Sequence, residues 1–245
     1  MWISLGVAHA DGFSSPCKDL PSQAALRSAL KAAQSVANGG FGLNMWATVV
    51  NRDGVVCAVA FTGNDRGDQW PGSRVISAQK ANTANAFSLP GLALSTANLF
   101  SAVQPGGSLY GLQHSNPVDT DVAYGGNPAN NGQPNDPMVG GRIGGVNVFG
   151  GGLALYNSSK VLVGAIGVSG DSSCADHNIA WRTRHTLLLD YVPAGVSGVA
   201  GKPDTIVYDI VTLPGEPQGV SPSGWGHPVC SAAATTIAAG LPGTR

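Results

Sequence analysis

Histidine is the side chain best suited to bind a metal or to move a proton near neutral pH, and this chain has five. His114 lies among apolar neighbours in a long polar stretch, where a loop could carry it to a ligand. His177 follows Asp176 at the predicted start of a helix, whose positive end disfavours a protonated imidazole. We therefore expect His177 to be neutral and able to act as a ligand or a base. A solvated or capping role is the alternative for both, and the other histidines are predicted outside any site: His9, His185 and His227.

Two cations could pair with the carboxylates of a bound ligand: Lys80 on a predicted helix, and Arg74 six residues earlier. A solvated helix surface is the alternative for each. Lys80 also supports an enzyme hypothesis, in which Lys80, Asp176 and His177 form a pocket for a small carboxylate or an oxidised metabolite. A third hypothesis is a ligand-free module that binds a partner protein.

Several well-known site motifs are incomplete in this chain. Gly150-Gly151-Gly152 follows a predicted strand, but no phosphate-binding lysine or glycine-rich helix start comes after it. Ser169 lacks the second glycine of a nucleophile elbow, and no order of acid and histidine along the chain suggests a catalytic triad. No two cysteines have the C-x-x-C spacing of a zinc site. The sequence therefore favours neither phosphate binding, serine hydrolysis nor a structural zinc.

The four cysteines are even in number and widely spaced, which favours two disulfides in an oxidising compartment. Four cysteines allow three pairings. We predict Cys17–Cys230, which would tie the two ends of the chain together, and Cys57–Cys174, which would join the second strand to the start of the last helix. Free buried thiols are the alternative.

Composition restricts the possible function classes. Only 11% of the 245 residues are charged and the net charge is −1, so nothing attracts a polyanion and nucleic-acid binding is not expected. The sparse charge is compatible with burial in a homo-oligomer. No apolar run is long enough to span a bilayer. Residues 1–10 resemble the end of a secretory signal, because a short apolar run precedes Ala8-His9-Ala10, so we expect a periplasmic or secreted protein.

Periodicity and turn residues predict helices and two hairpins that would position these side chains. The predicted elements are helices at 22–37, 75–88, 94–103 and 174–189, hairpins at 43–61 and 145–170, and a strand at 205–211. Hairpins give antiparallel pairing, so this order predicts an α+β domain with one mostly antiparallel sheet covered by helices. The long connector 104–142 carries Tyr110, His114, Tyr124 and Met138, and is predicted to be ordered and packed.

The second hairpin has the most distinctive sequence, GVNVFGGGLALYNSSKVLVGAIGVSG at residues 145–170. Glycines interrupt both of its strands, which usually marks a bulge or a close approach by a ligand or another backbone. This hairpin, the helix sequence SAQKANTANAF at 77–87 and the hairpin around Asn51-Arg52-Asp53-Gly54 resemble the GlcG/HbpS-like family of small haem-binding proteins, also described as PduO C-terminal-like. The similarity covers roughly residues 21–190.

That resemblance implies a profilin-like five-stranded, mostly antiparallel sheet flanked by helices, often in symmetric oligomers. It divides the chain into a leader remnant and arm (1–19), a family domain (20–190) and a C-terminal extension (191–245). It implies non-covalent haem for transport, storage or sensing. We expect His114, then His177, as the axial ligand to the iron, and Lys80 and Arg74 beside the propionates. The haem faces would be covered by Phe87, Tyr110, Phe149 and the backbone of Gly150, Gly151 and Gly152.

Overall fold

The computed structural model describes residues 16–245, without the side chains of residues 216–218. The predicted leader at residues 1–10 lies outside this range. The elements in chain order are α1 Gln23–Gln34, β1 Trp46–Asn51, β2 Val56–Phe61, α2 Ser73–Phe87, α3 Thr120–Tyr124, β3 Gly152–Tyr156, β4 Leu162–Ser169, α4 Ser173–Thr186, β5 Val211–Leu213, β6 Glu216–Val220 and α5 Ala232–Gly240. None of the helices in the described residues is long and apolar enough to cross a bilayer.

The main sheet has four strands in the order β2-β1-β4-β3, and every neighbouring pair is antiparallel. Both predicted hairpins are confirmed. A fifth strand is not confirmed in the described residues 16–245, where the chain beside β3 makes a single parallel bridge between Tyr156 and Asp190. Pro193 follows soon after, and proline cannot donate to a strand ladder. The likeness to profilin stays a prediction.

Helices cover both faces of this sheet. On one face α1 and α4 pack on an apolar cluster that includes Leu26, Leu30, Ile166 and Trp181. On the other face α2 lies against the sheet through small residues such as Ala78 and Ala81. The approach is so close that a Cβ on Gly167 of β4 would lie 1.9 Å from the carbonyl oxygen of Ser77. This explains why glycine interrupts a buried strand.

The predicted third helix is two short 3₁₀ helices, Thr96–Leu99 and Ser101–Val103. A capping box formed by Ser95 and Asn98 closes the start of the first one. The long connector is ordered as predicted, with α3 and a buried Met138. Tyr110 and Tyr124 remain more than 60% exposed.

The C-terminal extension packs against α4 and ends in α5. The predicted strand at 205–211 is wrong for most of its length, since only Val207 forms an isolated bridge before β5 begins. The side chain of Arg184 on α4 makes a two-point ion pair with Asp204, with nitrogen–oxygen distances of 2.5 and 2.8 Å. Both side chains are fully buried, so the extension is attached by charge as well as by apolar packing.

The chain has two disulfides, as predicted, but the predicted pairing is wrong. The observed disulfides are Cys17–Cys57 and Cys174–Cys230. Cys57 lies on the edge strand β2, which the N-terminal arm reaches directly, with 5.5 Å between the Cα atoms of Cys17 and Cys57. Cys174 begins α4 and meets the extension instead. The fold thus keeps each cysteine close to a partner that the linear sequence does not identify.

Candidate functional site

The candidate site lies where the first turn of α4 meets the middle of α2, the glycine turn before β3 and the extension. We call its four titratable side chains, Lys80, Asp176, His177 and His227, the α4 cluster. Each is at most 2% exposed. Buried titratable groups near one another are candidates for function, because burial changes their proton affinity.

Lys80 and Asp176 form a buried ion pair. The Lys80 Nζ donates to Asp176 Oδ2 at 2.7 Å and to the carbonyl oxygen of Val168 at 3.1 Å. The other carboxylate oxygen accepts the backbone N–H of Asp171 at 2.9 Å. Burial raises the pKa of Asp176 to about 6, although the charge and hydrogen bond of Lys80 act in the opposite direction. Lys80 and Asp176 therefore lie close together, as predicted, and each is the ion-pair partner of the other.

His177 is fully buried next to this pair. Neither ring nitrogen has a hydrogen-bond partner among the described residues. Burial lowers the pKa of His177 to about 3, and the positive charge of Arg184 acts in the same direction. The ring is consequently neutral at physiological pH, in the form that ligates metals. Most buried polar groups in proteins are hydrogen-bonded, so a fully buried imidazole without partners calls for an explanation.

His227 was not among the predicted site residues, yet the extension brings it to the cluster. Its Nδ1 lies 2.8 Å from the carbonyl oxygen of Pro228 and must donate to it, which leaves Nε2 without a partner in the described structure. Burial lowers the pKa of His227 to about 4, although the hydrogen bond to Pro228 acts in the opposite direction. Nothing in the sequence pattern places the tail here; the nearby Cys230 was the one available signal.

Aromatic rings connect the cluster to the surface. The Phe100 ring lies 5.2 Å from the His227 ring and 6.2 Å from the Phe149 ring, measured between centroids. Phe149 is 44% exposed. Phe100 also borders a cavity of about 520 Å³, whose lining includes residues 104–108, Ile210 and residues 219–221. This volume is within the usual range of small-molecule pockets.

The three predicted glycines approach the protein's own backbone. A Cβ on Gly150 would lie 2.4 Å from the carbonyl oxygen of Ser173 and 3.1 Å from the Cβ of His177. Gly151 has a φ of +120°, which side-chain-bearing residues rarely adopt, and its Cβ would meet the carbonyl oxygen of Val168 at 2.3 Å. The glycine turn thus brings the hairpin against α4 without any side chain between them.

Arg74 lies apart from the α4 cluster. It makes a buried two-point ion pair with Asp136 of the long connector and donates to the carbonyl oxygen of Ala123 at 2.9 Å. Of the other predicted residues, His114 and Tyr110 are exposed, and Phe87 is half-buried beside an apolar cluster. Within the described residues, no hydrogen bond or ring contact joins them to His177.

Ligand atoms of Cys174, His227 and Cys230 lie within 4.8 Å of one another, as in a metal site. Both sulfurs are used in the disulfide, however, and the nearest histidine nitrogen, His227 Nδ1, carries the proton that it donates to Pro228. This arrangement does not suit a metal ion.

The comparison with protein families agrees with the sequence resemblance. The chain matches the family model described as "Haem degrading protein HbpS-like" over residues 21–184, roughly two thirds of its length. The chain belongs to this family. No curated protein matches it.

Three solved structures are similar in fold. The PduOC:haem complex is 22% identical with a TM-score of 0.45, covering 66% of this chain and 89% of that one. Protein ORFY of Klebsiella pneumoniae, of the DUF336 family, is 24% identical with a TM-score of 0.46, covering 68% and 90%. A double mutant of HbpS from Streptomyces reticuli is 17% identical with a TM-score of 0.42, covering 76% and 98%.

Proposed function

We propose that this chain binds haem non-covalently in an extracytoplasmic compartment, for transport, storage or sensing, with His177 as the axial ligand. The family description names haem. The observation that carries the proposal is the fully buried, neutral imidazole of His177, with two unpartnered nitrogens. A neutral histidine nitrogen is a common ligand of haem iron, so the residue fits the group.

His177 is preferred over His114 as the ligand for a physical reason. His114 lies exposed in the long connector and can be solvated there at no cost. His177 is desolvated already, and a bound iron would satisfy one of its two unpartnered nitrogens. When bound, haem supplies an iron centre that accepts an axial ligand.

The cavity beside Phe100 is the proposed approach to His177. Phe100 and Phe149 would cover an apolar macrocycle, and their rings connect the cavity to His227. Since His177 is enclosed, binding requires the segment around His227 or the glycine turn at 149–151 to shift. Two cations were predicted to lie beside the propionates, and of these Lys80 belongs to the α4 cluster. To bind a propionate, Lys80 would have to break its ion pair with Asp176 and pair with the propionate instead.

Haemin titration of the purified chain, followed by the Soret band, tests the proposal. We expect saturable binding by the wild type. His177→Ala should shift the Soret maximum and weaken binding at least tenfold, which corresponds to ~1.4 kcal/mol. His114→Ala is the matched control and should leave both unchanged. If the wild type shows no saturable binding, the proposed haem function is wrong. If only His114→Ala changes the spectrum or the affinity, the axial ligand is His114 in the connector and not His177.

Haem breakdown is the second candidate function, and it would make the chain an enzyme. The family description refers to degradation, and Asp176, with a pKa of about 6, could exchange a proton near neutral pH. This candidate predicts that the Soret band of bound haem decays when peroxide is added, with release of chelatable iron. The decay should slow in Asp176→Asn if the chain catalyses it, whereas in a binding protein bleaching by peroxide should be the same in the wild type and in this variant.

The compartment follows from the cysteines. Two disulfides connect all four cysteines, and disulfides persist mainly in oxidising environments. A homo-oligomer is also proposed, because large apolar side chains such as Phe41 are exposed on a sparsely charged surface.

A further inference from the structure

The disulfide between Cys174 and Cys230 is asymmetric in its exposure. Cys174 is fully buried as the second residue of α4, whereas Cys230 is exposed on the extension. The backbone N–H of each cysteine donates to the sulfur of the other, at 3.2 Å in both directions. Both sulfurs therefore accept a backbone N–H, and the two cysteines differ in exposure: an attacking thiol meets Cys230 first.

We propose that Cys174–Cys230 is a thiol-exchange site, in which a low-molecular-weight thiol attacks Cys230 and expels Cys174. The incoming thiolate forms a bond to the Cys230 sulfur while the bond between the two cysteines breaks. Cys174 leaves with the electron pair and then takes up a proton. A second thiol resolves the mixed disulfide on Cys230, so the disulfide gains two electrons and the two external thiols become a disulfide.

The proposed direction of exchange follows from the exposure of Cys230 and from the position of Cys174 at the start of a helix. A helix N-terminus stabilises a thiolate, and Cys174 lies in the first turn of a helix of 14 residues. The sulfur of Cys174 accepts the N–H of Cys230, just as the sulfur of Cys230 accepts the N–H of Cys174. The carbonyl oxygen of Pro228 and the Nδ1 of His227 lie 3.5 and 4.0 Å from the Cys174 sulfur. A stabilised leaving group departs faster in thiol–disulfide exchange.

Exchange would loosen a short segment directly beside His177. The segment 226–230 carries His227, whose ring packs on Phe100, and the disulfide ties its end to α4. The extension stays anchored elsewhere, through the Arg184–Asp204 ion pair and the hydrogen bond from Asn178 to the carbonyl oxygen of Ala234. Opening is therefore local. The functional meaning of this opening rests on the proposed role of His177, but the exchange chemistry does not.

The second disulfide, Cys17–Cys57, is a control within the same chain. Both of its cysteines are half-buried, and neither lies in the first turn of a helix. An attacking thiol therefore meets a less exposed target there, and neither leaving sulfur lies at a helix start. A thiol that acts by general unfolding would open both disulfides together.

Graded incubation of the wild-type chain with reduced glutathione tests the exchange directly. After acid quenching, free thiols are alkylated and each cysteine is quantified by peptide mass spectrometry. We expect Cys174–Cys230 to open at least tenfold faster than Cys17–Cys57, with the glutathione adduct on Cys230. Equal rates, faster opening of Cys17–Cys57, or an adduct on Cys174 would overturn the proposal.

Acylation of histidines by diethyl pyrocarbonate tests whether opening of Cys174–Cys230 exposes His177, and the assay needs no haem. His177 should be protected in the oxidised chain and label at least tenfold faster after selective reduction. The exposed His114 should label equally in both states. The Cys17→Ser/Cys57→Ser variant should keep His177 protected, whereas Cys174→Ser/Cys230→Ser should not. If His177 stays protected after Cys174–Cys230 has opened, the disulfide does not control access to His177, whatever the outcome of the haemin titration.

Discussion

Lys80→Met is the most informative single change, because it removes the cation from a buried carboxylate. In the wild type, a pKa raised from the ordinary 3.8 to about 6 means that Asp176 is already destabilised in its charged form by about 3 kcal/mol. Lys80 opposes that effect, so its removal raises the pKa of Asp176 further. Breaking a buried ion pair from one side costs about 3–5 kcal/mol.

The sign of the pH dependence follows from the direction of this shift. The folded protein binds the Asp176 proton more tightly than the unfolded chain does, so this residue contributes most stability below pH 3.8 and loses it as the pH rises through about 6. In Lys80→Met the pKa of Asp176 is higher still, so the pH range over which this stability is lost lies at higher pH. We therefore expect the variant to be about 3–5 kcal/mol less stable than the wild type at pH 8 and much closer to it at pH 5.

Urea unfolding at the two pH values measures the effect. Lys31→Met removes an exposed cation from α1 and should change the stability by less than about 0.5 kcal/mol at either pH. Adding Asp176→Leu to Lys80→Met should recover most of the loss, since both charges are then absent. An equal loss at pH 5 and pH 8, or no loss at all, would refute the electrostatic explanation.

Three further predictions concern the fold and assembly. Gly167→Ala should lower the free energy of unfolding by several kcal/mol, because its Cβ would lie 1.9 Å from the Ser77 carbonyl, while Gly91→Ala, with open space around it, should be nearly neutral in the same urea titration. Replacing both cysteines of either disulfide with serine should cost about 4 kcal/mol by calorimetry, given sequence separations of 40 and 56 residues. Light scattering should give a mass well above the 24.7 kDa of one chain, and a monomer at micromolar concentration would contradict the oligomer.

The hairpins and the three long helices could be predicted from sequence because local patterns specify them. Alternation, turn residues and helical spacing act over a few residues, and α1 begins after Ser22 and buries Leu26 and Leu30 as its pattern indicates. The number of strands could not be predicted in this way. Whether the chain after α4 adds a strand beside β3 depends on Tyr156 and Asp190, which are far apart in sequence.

The candidate site was only partly predictable for the same reason. His177, Asp176, Lys80 and the glycine turn were found because a helix start and a family motif mark them. His227 and the disulfide pairing were missed, because the path of the extension is set by tertiary contacts that leave no local pattern. Arg74 was grouped with Lys80 because it is a cation six residues earlier in the sequence, but its side chain pairs with Asp136 of the connector, away from the α4 cluster.

The C-terminal extension contacts α4 at regularly spaced residues along one side of the helix. Cys174, Asn178, Trp181 and His185 follow one another at i, i+4, i+7 and i+11, so they lie on one face of the helix. Each contacts the C-terminal part of the chain: through the disulfide, through the carbonyl oxygens of Ala234 and Pro242, and through Arg245.

In the absence of the extension, this face of α4 would expose Trp181 and leave the buried charge of Arg184 without Asp204. The extension, which the family model does not include, thus covers Trp181 and supplies the carboxylate that pairs with Arg184. The same segment brings His227 to His177. Stability and access to the candidate ligand are therefore controlled by one set of contacts along α4, and Cys174–Cys230 is the covalent one among them.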